Sequence, residues 1–597
     1  MAEPESNVPA PARGAAQRRL DDFGLDLVVK EPAEPARPPA LPGIWQVEDG
    51  FVRHPLLAPR MIRALPFQLD LARVGIQEDL LVVLPTGLGK TVIAALIAAE
   101  VLRRGSGKLL FLAPTRPLVE QHAQALGHWF GRLRRARFTG TLRKPLREGS
   151  WDGAEAIFAT PEMVVNDLAA ERYDLKQVGL LVFDEAHRTV GDYAYVAIAQ
   201  RFRTDRPTDG RVLALTASPG GKHERIEEVV GALGVARVEA RSRDDPGVRE
   251  YVQPVEISYS FVKLPPVMLD LREKIFSSIR EEGHKLQKMG FLRKKPLVSL
   301  TVKDLIALRG EIFARPGPMT RKFGPLFHQL ILLHLHHALE RLETQGVEPF
   351  LQYLDRVGEK PKPSRGDRAL LKLPLIEAAR EEARRYLRET KEASHPKLDA
   401  LVKFVEQELA GSRARPARLL VFAQYRDTIQ SIQRTLEARG IRVARFVGQA
   451  TRDAEDPGMS QKEQSAVLEG FRAGQFPVMV ASSVAEEGLD IPDVDVVLFF
   501  ESVPSEIRAI QRRGRTGRSS VGRVVVLLTE DTRDVGYMKA EARRERAMGR
   551  IVRQLGARGR RGDLADGSHP APESRTSDEA PAARPPPARR GRSPERV

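Results

Sequence analysis

Leu80-Leu81-Val82-Val83-Leu84 runs directly into Pro85-Thr86-Gly87-Leu88-Gly89-Lys90-Thr91. Five consecutive apolar residues stopped by a turn suit a strand buried on both faces, the habit of parallel sheets. Pro85 and two glycines end the strand, and Thr91 to Arg103 then shows helical periodicity, rich in Ala, Leu and Ile. Strand, glycine turn and helix in that order commit the segment to an α/β layer. The same order builds an anion cradle, because glycines let backbone N–H groups approach phosphates that sit on a helix N-terminus. In this reading Pro85, Thr86, Gly87, Leu88 and Gly89 wrap a nucleotide, Lys90 reaches its β/γ-phosphates and Thr91 ligates Mg²⁺. The general phosphate-loop pattern opens on a glycine where this chain has Leu84.

Two further apolar runs end in chemistry. Leu180-Leu181-Val182-Phe183 leads to Asp184-Glu185-Ala186-His187. A carboxylate at the C-terminal end of a strand can hold Mg²⁺ on the phosphates, and its neighbour can orient the attacking water. Asp184 is assigned to the metal and Glu185 to the water; alone, the tetrapeptide suits a solvated strand end equally well. Leu213-Ala214-Leu215-Thr216-Ala217-Ser218 ends in small hydroxyls that could couple phosphate state to domain movement. The second half repeats the pattern at Leu419–Phe422, Val478–Ala481 and Val496–Phe500. Arg515 and Arg518 follow in Gln511-Arg512-Arg513-Gly514-Arg515-Thr516-Gly517-Arg518. Arginine fingers stabilise a transferring phosphoryl group by about 10³–10⁵ in rate. Either arginine alone reads as a solvated face; the ordered set of segments is what implies two domains closing on one ATP.

The 597 residues allow several domains, and a 42% hydrophobic share suffices for packed cores. With no cysteine there is no disulfide framework and no cysteine-ligated metal. No apolar stretch is long enough for a bilayer, and the N-terminus lacks a signal-peptide pattern, so a soluble intracellular protein is expected. The net charge of +16 favours a polyanionic partner. Residues 1–48 read as a disordered tail, 49–249 as an α/β unit, 250–265 as a strand linker, 266–392 as a helical insert, 393–556 as a second α/β unit and 557–597 as a disordered basic, proline-rich tail. Within the insert, Leu269–Met289, Val302–Phe313, Phe327–Thr344 and Leu375–Glu392 look helical, and Lys285, Lys288, Arg293, Lys294, Lys295, Arg321 and Lys322 make it basic. His328, His334, His336 and His337 read as helix packing rather than metal ligands, lacking carboxylates at ligand spacing.

The chain resembles superfamily 2 helicases of the Hef family, the archaeal helicases associated with a fork-specific endonuclease, whose eukaryotic relatives are the Fanconi anaemia group M protein and the yeast mutator-phenotype helicase. The Pro-Thr-Gly-x-Gly-Lys-Thr loop and the Asp-Glu-Ala-His box carry the superfamily. Leu335–Gly346, Arg445–Ala450 and Gly458–Gln464 carry the family. The likeness runs from about Phe51 to Ala557. It implies two RecA-like domains with parallel sheets, an inserted helical thumb-like domain that grips duplex DNA, and ATP hydrolysis with Mg²⁺. It implies that Gln68 reads adenine, that Lys90, Thr91, Asp184, Glu185 and His187 serve the nucleotide and Mg²⁺, and that Gly488 and Asp490 contact ribose. Gln511, Arg515 and Arg518 match the sensor and fingers. Thr115, Arg116, Thr160 and Ser482 match backbone-phosphate contacts, which position a strand without reading its sequence. Ser482 stands where threonine is common, and Ala485 where glycine is common.

The implied activity is that of an ATP-dependent DNA helicase or translocase on forked or branched DNA, in the cytoplasm of an archaeal-type cell and at its nucleoid. The alternative is a duplex-RNA-dependent ATPase of the RNA-sensor and Dicer type. A catalytically silent scaffold is a third reading, opposed by Lys90, Glu185, Arg515 and Arg518. Full-length Hef adds a nuclease with a Glu-Arg-Lys-x-x-x-Asp cluster; nothing after Ala557 supplies one, so the nuclease is expected to be absent or on a separate polypeptide. Gln17, Leu20 and Phe23 resemble a sliding-clamp-binding peptide, with Gly24 where a second aromatic is usual.

Overall fold

The computed structural model describes residues 44–140, 144–217, 220, 223–252, 255–292, 296–390, 395–411, 417–448, 458–482, 494–501 and 522–561, with the backbone of Gln17–Arg18. Three short strands come first: β1 (Gln17–Arg18), β2 (Gln46–Glu48) and β3 (Phe51–Arg53). β2 and β3 form an antiparallel hairpin. The first sheet contains β4 (Leu80–Val83), β5 (Lys108–Leu112), β6 (Arg135–Phe138), β7 (Ala156–Ala159), β8 (Val178–Phe183), β9 (Arg211–Thr216) and β10 (Arg237–Ala240). Its order is β10-β4-β9-β8-β5-β7-β6, and each described pair is parallel. Leu80, Val82 and Leu84 pack in the core on one face, while Leu81 and Val83 pack in the core on the other. Two covered faces are why the strand reads as an unbroken apolar run.

The second sheet holds β11 (Val255–Val262), β12 (Leu419–Phe422), β13 (Val443–Phe446), β14 (Val478–Ala481), β15 (Val496–Phe499) and β16 (Gly522–Thr529), in the order β1-β11-β16-β15-β12-β14-β13. Only the β1–β11 pair is antiparallel among the described pairs. Leu419 and Val421 face one core and Leu420 and Phe422 the other. The architecture is therefore α/β: two RecA-like parallel sheets with a helical insertion.

The insert leaves the chain between β11 and β12, so it interrupts the second sheet rather than separating the two units. Its helices are Pro266–Lys288, Val302–Ala314, Met319–Gln345, Val347–Gly358, Arg365–Leu371 and Pro374–Glu389, packed around Leu271, Ile275, Leu335 and Phe350. Buried polar groups weld it to the second unit. Glu343 accepts from Arg272 Nε at 2.7 Å, and the Glu343 carbonyl accepts from His395 Nε2 at 2.9 Å and Thr529 Oγ1 at 3.4 Å. Nearby, Lys397 and Asp534 form a fully buried ion pair, and Lys397 Nζ also donates to the Phe500 carbonyl at 2.9 Å. The histidines of the insert are engaged in packing: His328 Nδ1 lies 2.6 Å from Glu282, His334 Nδ1 lies 2.7 Å from the Tyr353 hydroxyl, and His336 Nδ1 accepts from Arg533 at 2.7 Å.

Three expectations about the ends of the units change. Trp45 is buried in the first core and Gln46–Glu48 pairs with β3, so the first unit starts before residue 49. Gln17 and Arg18, expected in a free tail, pair with Ser260 and Tyr259, giving the outer edge of β11 partners for its N–H and C=O groups. At the other end helix Arg533–Arg561 continues past residue 557. Met538 of that helix packs in the second unit, whereas Met548, Val552 and Leu555 pack in the core of the first. One helix thus spans both units.

Candidate nucleotide site and nucleic-acid edge

The phosphate loop is shaped by backbone conformation. Gly87 and Gly89 have φ of 87° and 76°, a left-handed region costly for residues with a Cβ. Gly89 is doubly constrained, because an added Cβ would lie 2.4 Å from Gln68 Nε2. Gln68 is buried and donates from that nitrogen to the Leu88 carbonyl at 3.0 Å, tying helix Pro66–Gln77 to the loop. Helix Lys90–Arg104 starts with no side-chain cap and no acid in its first turn, leaving its positive end available to an anion. Leu84 is fully buried, and its N–H donates to the Thr216 carbonyl at 3.0 Å. The position that is glycine in the general pattern is here the last rung of a sheet. Lys90 Nζ donates to the Leu84 carbonyl at 3.2 Å. Thr86 Oγ1 is buried with no hydrogen-bond partner among the described residues. An orphaned hydroxyl inside a left-handed glycine loop fits a phosphate-bearing nucleotide.

Beside the loop stands the Asp-Glu-Ala-His turn. Asp184 directly follows β8, buried, with its N–H on the Leu112 carbonyl and its own carbonyl accepting from Tyr195 Oη at 2.7 Å. Glu185 has φ of 49°, a strained backbone for a residue with a side chain. Burial alone raises its pKa; the hydrogen bond from His187 and the charges of Lys90 and Arg188 overcome this and hold the carboxyl below its ordinary value. His187 Nδ1 lies 3.3 Å from Glu185 Oε2 and 3.1 Å from Thr216 Oγ1, at the end of β9. The structure thus brings Lys90, Thr91, Asp184, Glu185, His187 and Thr216 together.

His122 is the residue that sequence reasoning missed. Its Nε2 lies 2.8 Å from Asp184 Oδ2, and its Nδ1 lies 3.4 Å from Thr91 Oγ1. It is buried on the helix Arg116–Trp129, in one stripe with Val119, Ala123 and Leu126, its ring centroid 4.5 Å from that of Phe111. The available signal was a histidine on an otherwise apolar stripe.

The residues expected to contact backbone phosphates follow strands. Thr115 occupies the N-cap position of helix Arg116–Trp129 after β5 and Thr160 that of helix Pro161–Ala169 after β7, neither with a side-chain capping bond, and Ser482 follows β14, donating its N–H to the Phe446 carbonyl at 3.0 Å. The two helix N-termini favour phosphate. Thr115 Oγ1 is buried without a partner among the described residues. A Cβ on Gly140 would lie 2.1 Å from Arg116 Nη2, so glycine there makes room for the guanidinium. Ser218, Gly488, Asp490, Gln511, Arg515 and Arg518 lie outside the described residues, as do Leu20 and Phe23.

Two parallel sheets, a phosphate loop on one and an Asp-Glu-Ala-His turn beside it define a superfamily 2 helicase, a class that uses ATP. Residues 66–226 match the DEAD/DEAH box helicase family and residues 396–520 the helicase conserved C-terminal domain. The crystal structure of the Pyrococcus furiosus Hef helicase domain is 37% identical with a TM-score of 0.61, covering 79% of this chain and 97% of that one. The chain belongs to the Hef family of helicases. A putative ATP-dependent RNA helicase of Methanocaldococcus jannaschii is 34% identical over 85% of this chain and 63% of its own length. The ATP-dependent DNA helicase MPH1 of Pyricularia oryzae is 34% identical over 80% of this chain and 44% of its own length. The Fanconi anemia group M protein of Gallus gallus is 32% identical over 80% of this chain and 25% of its own length. The chain therefore spans from a quarter to just under two thirds of these curated relatives. Among the described residues no helix is long and apolar enough to cross a membrane.

Proposed function

We propose that the chain is an ATP-dependent DNA helicase or translocase acting on forked or branched DNA in replication-fork repair and recombination. The observation that carries this reading is the 37% identity across 97% of the Hef helicase domain. The name of the Pyricularia oryzae relative, the ATP-dependent DNA helicase MPH1, supports it. ATP sits on the loop Pro85–Gly89, with Gln68 on the adenine side and Lys90 on the phosphates. Thr91 and Asp184 would hold Mg²⁺, which when bound would neutralise phosphate charge. Glu185, ionised and held by His187, orients the attacking water and accepts its proton. Gly488, Asp490, Gln511, Arg515 and Arg518 complete the site from the second unit. Thr115, Arg116, Thr160 and Ser482 grip backbone phosphates, so affinity falls steeply with salt. Thr216, hydrogen-bonded to His187, passes the phosphate state to the sheet.

A sliding clamp taken through Gln17, Leu20 and Phe23, and a nuclease on a separate polypeptide, are the partners this reading proposes. The setting is the nucleoid in the cytoplasm of an archaeal-type cell. The test is ATP-dependent strand displacement on a fork, with Glu185→Gln as the inactive control. Displacement by the wild type alone is expected. No displacement and no translocation on any DNA overturns the reading. The name of the Methanocaldococcus relative, a putative ATP-dependent RNA helicase, favours the second reading, in which RNA duplexes drive ATP hydrolysis.

A further inference from the structure

The joint between the helical insert and the second unit holds a cavity of about 720 Å³, the size of a ligand cleft. Gln345 and Glu348 line it from the insert, and Asp399, Thr428 and Arg434 line it from the second unit. None of its described lining residues belongs to the nucleotide site or to the set expected to contact backbone phosphates.

Polar atoms around this cavity are left unpaired. Gln345 is the last residue of helix Met319–Gln345, and Gly346, with φ of 108°, turns the chain straight into helix Val347–Gly358. The Gln345 residue is 7% exposed, and neither its Oε1 nor its Nε2 has a hydrogen-bond partner among the described residues. Across the joint, Thr428 lies in the first turn of helix Arg426–Glu437. It is 5% exposed, and its Oγ1 is unpaired as well. Buried polar side chains ordinarily find partners, and leaving them without one is costly. Three such atoms around one cavity point to a group bound there. The Gln345 amide turns about its last torsion, which has a broad minimum, and so can present both of its ends to an occupant.

The lining narrows the chemistry of that occupant. Glu348, Asp399 and Asp427 outnumber Arg434 and Arg439, and Arg439 lies 3.4 Å from Glu406. Carboxylates repel phosphate, so neither a nucleotide nor a nucleic-acid strand suits the cavity. A nucleobase needs a ring to stack on. His395 and Phe500 are the rings among the described lining residues, and both are 1% exposed. A primary amide with donors and acceptor free matches the N–H and C=O of an extended peptide. Pro349 and Leu387, both partly exposed, offer a seat for one apolar side chain.

We propose that this cavity binds a short extended segment of a partner protein. The N–H and C=O of one residue pair with Gln345, a second C=O accepts from the Thr428 hydroxyl, and an apolar side chain rests on Pro349 and Leu387. Because the lining comes from both sides of the joint, the occupant ties the insert to the second unit. The site is independent of which nucleic acid drives the motor.

The test uses the full chain as bait for a phage-displayed library of random heptapeptides, with counter-selection against Gln345→Met/Thr428→Val. A selected peptide, synthesised and titrated by calorimetry, should bind the wild type and raise its melting temperature. It should bind Gln345→Met and Thr428→Val each about tenfold more weakly, the effect of one lost hydrogen bond at a buried group. Without peptide, both variants should melt no lower than the wild type, because each replaces an unpaired polar group by an apolar one of similar shape. Their ATP turnover should match the wild type's, since neither residue lines the nucleotide site. A library that yields no peptide distinguishing the wild type from the variants overturns the proposal. Peptide-free variants that both melt several degrees lower also overturn it, because the protein's own groups would then already pair these atoms. Adenosine, titrated in parallel, should not bind; adenosine binding that is lost in Gln345→Met assigns the cavity to a base and overturns the peptide. The helicase reading stands or falls on ATP turnover with nucleic acid and is untouched by these outcomes.

Discussion

His122 Nε2 lies 2.8 Å from Asp184 Oδ2, joining residues 62 apart in sequence at the centre of the nucleotide site. Through its other nitrogen the ring approaches Thr91, so one imidazole orients both groups assigned to Mg²⁺. Side chains that orient metal ligands typically contribute 10- to 100-fold to affinity or activity. His122→Ala is therefore expected to lower DNA-stimulated ATP turnover by roughly 10- to 100-fold at low Mg²⁺, with partial recovery at high Mg²⁺. A Mg²⁺ titration of the rate checks this. A midpoint equal to the wild type's shows that the ring only packs.

Lys90 and Glu185 separate binding from chemistry. Lys90→Ala removes the cation proposed to reach the phosphates and should abolish both tight ATP binding and hydrolysis. Glu185→Gln keeps the side-chain shape and loses the carboxylate held by His187, so it should bind ATP and fail to turn it over. Equilibrium binding beside steady-state hydrolysis distinguishes the two variants. Turnover near the wild-type rate in Glu185→Gln means that another group takes the proton.

The 3.1 Å contact between His187 and Thr216 links the Asp-Glu-Ala-His turn to the end of β9. Thr216→Val keeps the shape and deletes the hydroxyl. ATP turnover should remain within about threefold while strand displacement falls about tenfold or more, a coupling of ordinary allosteric size. Parallel decline of both rates places the hydroxyl in the chemistry instead.

His395 makes the joint between insert and second unit sensitive to acid. Its Nε2 donates to the Glu343 carbonyl, and its Nδ1 accepts from the Lys397 N–H at 3.1 Å, capping helix Pro396–Ala410. Burial, then the Lys397 charge, lowers its pKa from 6.5 to about 3. A ring held neutral when folded stabilises fully above the unfolded pKa near 6.5 and progressively less as pH falls toward 3. Between pH 7 and pH 5 the loss is about 2 kcal/mol. His395→Asn retains a capping side chain without the titrating ring. Its melting temperature should be lower at pH 7.5 and should depend less on pH between 7 and 5. An unchanged pH slope shows that other groups control the acid response.

The parts of the molecule legible in sequence are those where a physical requirement acts on neighbouring residues. Leu80–Leu84 had to be apolar throughout because both faces of a parallel strand are covered. Gly87 and Gly89 had to be glycine because φ is positive at both. Helix Pro266–Lys288 shows its buried stripe at helical period. Helix Val347–Gly358 escaped notice because Pro349 in its first turn reads as a breaker, although a first turn tolerates proline. Distant pairings were not legible. His122 shows its purpose only beside Asp184, and the strand pairing of Gln17 shows only beside Ser260. The span of helix Arg533–Arg561 across both units also depends on contacts that no local pattern announces.

ATP turnover of the full chain, measured side by side on forked DNA, a four-way junction, plain duplex DNA and duplex RNA, tests the central claim most directly. Forks and junctions should stimulate hydrolysis more than plain duplex, and all DNA forms more than RNA. Stimulation by duplex RNA exceeding that of every DNA form would contradict the account and assign the motor to RNA.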